Sequence, residues 1–219
     1  MSALVVALLV PHIVAGSTAL VCGLVALCSR KGSPLHRRFG GIYYRAMAVV
    51  AATAAILAPL VHSVFLFLVM VLSFYAAFAG YRVLRRKNPF KTRPGAIDWA
   101  AAVAVTFSGG AMIVLGTTKP AFADPAFSPM FVVFGALSML LGVGDFVRYI
   151  RPAQKKGAWI VLHAGKMIGS YIAALTAFSA VNLQVLPLLV RWFWPTLVLV
   201  PVIIYFRATE SRKITAAGN

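Results

Sequence analysis

Long apolar runs separated by short polar connections make up this chain. The runs fall at Ala3–Cys28, Ile42–Val61, Val64–Leu84, Ala96–Thr117, Met130–Ile150, Ala158–Val181 and Leu188–Phe206. Each approaches or exceeds the roughly 20 residues that carry a helix through a hydrocarbon core about 30 Å thick. None alternates polar and apolar positions as a barrel strand does, and in lipid a helix satisfies its backbone within its own segment. The pattern predicts an all-α fold, a bundle of seven transmembrane helices forming one domain over residues 1–219.

The connections are of two kinds, and the kinds alternate. Arg30, Lys31, Arg37 and Arg38 follow the first run, and Arg85, Arg86, Lys87, Lys91 and Arg93 the third. Arg151, Lys155 and Lys156 follow the fifth, and Arg207, Arg212 and Lys213 the seventh. The other connections are nearly neutral: "HS", a stretch holding Lys119 and Asp124, and "NLQVLP". Basic loops stay on the cytoplasmic side, so the N-terminus is expected outside and the C-terminus in the cytoplasm. The opening "MSALVVALLV" has no basic stretch before it, so it reads as the start of a helix and not as a secretory leader.

Composition sharpens this reading. Only 11% of residues are charged and 61% are hydrophobic, whereas soluble domains carry about a quarter charged residues. No stretch is left to build a separate soluble domain. The net charge of +17 raises nucleic acid as a partner, but the basic residues sit in short clusters between apolar runs. That placement matches anionic lipid head groups and argues against nucleic acid. Cys22 and Cys28, six apart on one run, read as small membrane-core residues and not as a disulfide.

Two stretches resemble each other. "AGSTALVCGLVALCSRKGSPLHRRFGGIYY" and "FGALSMLLGVGDFVRYIRPAQKKGAWIVLHAGKMIGSY" each space two glycines by seven (Gly16 and Gly23; Gly135 and Gly142). Each then runs through basic residues to Leu-His (Leu35-His36; Leu162-His163), Gly and Tyr. A parallel 3+1+3 repeat, with the fourth helix as inverter, follows. It would relate His36 and His163 by a pseudo-twofold axis; chance likeness between two biased compositions is the alternative.

Chemistry must come from the few polar groups inside the runs, which usually face a bundle interior. Asp98, Asp145 and Lys166 lie near the cytoplasmic level, and Lys166 is expected to pair with Asp145, in a structural brace or a proton or ion path. His163 lies five positions into the sixth run, about 8 Å from its end, with His36 in the basic loop below. Two imidazoles meeting there suit the axial positions of haem b, with Arg37, Arg38 and Lys166 near its propionates and Gly165, Gly169 and Tyr171 leaving room. A simple metal ion wants three or four ligands, which only Asp98 and Asp145 can complete. The bland alternative is a head-group histidine and a hydrogen-bonded helix histidine. His12, about 13 Å from the outer end of the first run, suits a proton relay or a quinone contact; His62 sits at the outer tip of the second run. Gly109-Gly110 reads as a helix-packing site, and "RWFW" at Arg191–Trp194 as an outer interfacial anchor. The chain carries no phosphate-cradling Gly loop, Cys-x-x-Cys, His-Glu-x-x-His or Ser-His-Asp set.

"HIVAGSTALVCGLVAL", "GSPLHRRFGGIYYRAM" and "LHAGKMIGSYIAALTAF" together resemble a bacterial integral membrane family catalogued as a domain of unknown function, the twenty-three-oh-six family. The resemblance implies a multi-pass protein of the bacterial inner membrane without an established activity. It selects His12, His36 and His163 and leaves His62 aside. The Leu-His-basic-Gly pattern is more loosely similar to the cytochrome b561 class, whose transmembrane histidines hold haem. Three functions are therefore expected. The first is haem binding with electron transfer or haem handling, with a quinone or membrane redox partner. The second is small-solute or proton-coupled transport gated by Lys166, Asp98 and Asp145, and the third is a non-catalytic accessory of a membrane complex. Whether the chain is an enzyme is left open.

Overall fold

The computed structural model describes residues 3–88, 91–118, 128–151 and 157–216, with side chains described as far as residue 212. Lys119, Asp124, Lys155, Lys156 and the side chain of Lys213, which enter the orientation argument, lie outside the described residues. Seven helices make up the fold: α1 (Ala3–Cys28), α2 (Pro34–Leu60), α3 (Val64–Val83), α4 (Ala96–Thr118), α5 (Ser128–Ile150), α6 (Ala158–Asn182) and α7 (Leu188–Ala216). No strand occurs among the described residues. All seven helices are long and apolar enough to cross a membrane. Their outer faces expose large apolar side chains such as Phe107, Leu140 and Leu197, as lipid-facing surfaces do. The chain is a multi-pass membrane protein.

Hydropathy misplaces one helix start by eight residues. α2 begins at Pro34, not Ile42, because Ser33 caps it, its hydroxyl accepting from the His36 N–H, with Pro34 in the first helical position. The basic stretch holding His36, Arg37 and Arg38 is therefore helix and not loop. α7 likewise runs ten residues past Phe206, into a polar end that carries Arg207 and Arg212.

α3 is the hub, packing against α2, α4, α5 and α6. One apolar cluster lies on its α4–α5–α7 side, around Phe65, Leu72, Met112, Met130, Phe134 and Trp192. The other lies on its α1–α2–α6 side, around Ala19, Tyr43, Met47, Ile168 and Tyr171. α4 and α5 approach closely enough that a Cβ on Gly109 would stand 2.6 Å from the Gly135 carbonyl, and one on Gly135 2.7 Å from the Gly109 carbonyl. This is small-residue packing, which lets two helices touch in lipid where no hydrophobic effect drives them together.

The packing is not repeated as 3+1+3 would have it. α1 packs along α2, but α5 makes no comparable contact with α6. Of the matching glycines, Gly135 and Gly142 pack against α4 and Gly23 against Tyr171 and Tyr43, while Gly16 has open space around it. Nor is "RWFW" an interfacial anchor. Trp192 is buried, edge-on to Phe65 at 5.4 Å and Phe134 at 5.8 Å, and the Trp194 Nε1–H donates to Ser179 Oγ at 2.7 Å. Those indoles lock α7 to α3, α5 and α6.

The glycine pair gives an internal control. Gly109→Ala is expected to lower stability by about 1–3 kcal/mol, as overpacking does. Gly110→Ala, which meets open space, should leave stability unchanged or raise it by up to about 1 kcal/mol. Thermal unfolding of the detergent-purified variants reads the difference.

Candidate functional site

The buried charges gather at the end of the bundle formed by the C-termini of α3 and α5 and the N-termini of α4 and α6. Asp98 stands in the first turn of α4, and its Oδ2 accepts the Gly95 N–H at 2.9 Å. That is half of a capping box, which places a carboxylate where the helix dipole favours it. Arg82 of α3 grips the same carboxylate with two bonds, Nε to Oδ1 at 2.8 Å and Nη2 to Oδ2 at 2.7 Å. Arg86 approaches Asp98 Oδ1 at 3.5 Å and lies over the Tyr149 ring, 4.9 Å from its centroid.

Asp145, one and a half turns from the end of α5, is 2% exposed. Its Oδ2 accepts from Lys166 Nζ at 2.6 Å and from the Tyr75 hydroxyl at 2.5 Å, and its Oδ1 from Arg148 at 3.0 Å. Lys166 is 4% exposed. The expected Lys166–Asp145 pair is therefore formed, and Tyr75 of α3 joins it. A buried carboxylate is tolerable because its lone pairs are filled and its charge is matched.

His36 and His163 occupy equivalent chemical settings on different helices. His36 Nδ1 lies 2.9 Å from the Ala26 carbonyl near the end of α1. His163 Nδ1 lies 2.8 Å from the Gly80 carbonyl near the end of α3. Carbonyl oxygens only accept, so each imidazole donates through Nδ1–H, and in the neutral ring Nε2 is left with a free lone pair. Both carbonyls belong to a last helical turn, where intrahelical donors run out. At α3 the Leu84 N–H bonds to Tyr81 instead of Gly80. Although 127 positions apart, the two stand near the N-terminal ends of α2 and α6.

The other predicted site residues are arranged differently. His12 Nδ1 bonds Thr53 Oγ1 at 2.8 Å, clipping α1 to α2. His62 is exposed at the α2–α3 turn with a positive φ of 53°. Arg37 and Arg38 are exposed beside His36. Lys166 is committed to Asp145 and does not face a ligand. Tyr171 stacks over Gly23 and donates to the Leu20 carbonyl, away from His163. Gly165 and Gly169 have open space, but two and six positions on from His163 they present another face of α6. Gly40, one turn on from His36 and on its face, is also open. Cys22 is buried and Cys28 exposed, both free.

The chain matches no family model, no curated protein and no solved structure.

Among the described residues, no three His, Cys, Asp or Glu side chains converge on a common point. The two carboxylates that would complete a set with the histidines are held by Arg82, Arg86, Lys166 and Arg148. Sequence reasoning overlooked Arg82, Tyr75 and Tyr149. Arg82 was detectable as an arginine inside the third apolar run; the tyrosines carried no signal, since in a membrane helix Tyr reads as one more large side chain.

Breaking the Asp145 pair should be costly. Lys166→Ala is expected to destabilise by about 3–5 kcal/mol, because it strands a buried carboxylate. Lys166→Met combined with Asp145→Leu should recover most of that loss, and thermal unfolding of the three proteins in detergent checks the order.

Proposed function

We propose that the protein holds a haem at the cytoplasmic face of a bacterial inner membrane and serves in electron transfer or haem handling. One observation carries the reading: His36 and His163, near the N-terminal ends of α2 and α6, each have Nδ1 engaged by a backbone carbonyl, which leaves Nε2 to a ligand. A backbone carbonyl behind Nδ1 is the usual way a ligating imidazole is oriented and made more basic.

The count of donors discriminates between groups. A bare divalent ion wants three or four protein ligands, and the histidines have no third partner of that kind among the described residues. Haem supplies four nitrogens of its own and asks the protein for two. The donor chemistry therefore fits, and the open face at Gly40 gives room on the His36 side. A haem held by His36 and His163 would supply a one-electron couple.

The surrounding side chains divide the remaining work. Arg37 and Arg38 are the exposed cations placed to meet propionates, and Lys87, its Nζ over the Trp159 ring at 4.8 Å, replaces Lys166 in that role. The Gly80 and Ala26 carbonyls fix ring orientation. Asp98, Asp145 and Lys166 are all paired in the bundle, which supports the structural brace over the transport path. The likeness to the twenty-three-oh-six family rests on its three motifs and names no activity.

An absorption spectrum of the purified protein, before and after dithionite, tests the reading. A Soret band with α and β bands that sharpen on reduction is expected. His36→Ala or His163→Ala should abolish it, and His62→Ala should leave it intact. A featureless spectrum from protein expressed with ample haem would sink the proposal.

A further inference from the structure

A second site, lined by neither histidine, lies between α2, α3 and the start of α4. It is a cavity of about 440 Å³ whose walls carry Arg45, Arg82 and Arg85 beside Tyr44 and Tyr81. The two tyrosine rings are stacked on each other, 4.2 Å apart with 4° between their planes.

Charge bookkeeping identifies what the cavity accepts. Arg82 is balanced and held in place by Asp98. Arg45 and Arg85 have no carboxylate within 4.0 Å among the described residues. Three guanidiniums against one carboxylate leave a surplus of two positive charges. A phosphate monoester carries about −1.5 to −2 at neutral pH and offers oxygens that suit the guanidinium fork. Phe78 and Ile97 complete the lining. Both are apolar, and Ile97 is exposed on the outer face of α4, where the chain of an amphiphile would run on into the bilayer.

We propose that this cavity binds a phosphate monoester, presented by a membrane lipid or by a free phosphate ester, with Arg45, Arg82 and Arg85 on the phosphate and Tyr44 and Tyr81 as its wall. Gly41 is the residue that keeps the space open. A side chain there would point into the cavity, its Cβ meeting nothing nearer than Arg45 Nη2 at 3.8 Å.

Calorimetric titration of the delipidated, detergent-purified full chain tests this. The three probes are dioctanoyl phosphatidic acid, dioctanoyl phosphatidylcholine and glycerol 3-phosphate. Saturable one-to-one binding of phosphatidic acid is expected, with none for phosphatidylcholine, whose choline caps the phosphate. Replacing both Arg45→Gln and Arg85→Gln should weaken binding at least about tenfold, the scale of one lost charge-assisted contact. Gly41→Leu should abolish binding with every charge retained. If Gly41→Leu fails to fold, the arginine variant still decides, because both arginines are exposed. Glycerol 3-phosphate binding as tightly as phosphatidic acid assigns the free ester as the source; much weaker binding assigns the lipid. Equal affinity for phosphatidylcholine, affinity unchanged in the arginine variant, or no saturable binding overturns the proposal.

Discussion

A carboxylate buried among transmembrane helices must be neutralised inside the bundle, and Asp145 is the place where this chain meets that constraint. Among the described residues α5 and α6 have no extended packing between them, and the contact of Lys166 and Asp145 ties one to the other. Tyr75 brings α3 into the same oxygen. An ion pair in low dielectric is weak evidence for net stability, since desolvating both charges offsets most of their attraction. What it supplies is register. Sliding α6 by one turn, about 5.4 Å, would strand the carboxylate and the ammonium together.

That register passes directly to the histidine site. His163 lies three positions before Lys166 on α6, so the two share a face. With Lys166 fixed on Asp145, His163 is presented to the Gly80 carbonyl. Gly80 contributes twice. A Cβ there would stand 2.9 Å from Met167 Sδ and 3.2 Å from Lys166 Cβ, so its missing side chain lets α6 close on α3. Its carbonyl is also one that the final turn of α3 has left without its helical donor. His36 is held by the same logic at the end of α1, where Ser29 and Lys31 share the Ala26 carbonyl with it. Both imidazoles are helix caps first, and it is the capping that leaves Nε2 unused on each.

Hydropathy made the helices legible, because the cost of exposing backbone to lipid admits no other reading of seven long apolar runs. It misjudged α2, where a Ser-Pro start carries helix through a stretch as basic as "LHRRF". A hydropathy average sees the charges there and not the cap. Lys166–Asp145 was legible by elimination, as two embedded charges of opposite sign. Asp98 was visible but its partner was not, because Arg82 is hidden in an apolar run and Arg85 and Arg86 draw attention to the loop beyond it. The repeat misled for a different reason. Glycine spacing in a membrane helix reports only that something packs closely on that face, and Gly135 meets a helix backbone where Gly16 meets open space.

The charge surplus links the bundle to its surroundings. The chain has 21 Lys and Arg residues against four acids, and Asp98 and Asp145 are satisfied by Arg82, Arg86, Lys166 and Arg148. The cations left over, Arg37, Arg38, Arg45 and Arg85 among them, form no ion pair with Asp98 or Asp145. Surface cations near a bilayer find anionic head groups without any built site, and each gains on the order of 1 kcal/mol there. Arg45 and Arg85 differ from the rest in facing a walled cavity, with Arg82 clamped beside them in a fixed orientation. A preorganised guanidinium loses little freedom on meeting an anion. Asp98 therefore serves beyond neutralising Arg82: by holding it rigid at the cavity wall, it turns part of a diffuse positive surface into a site with a shape.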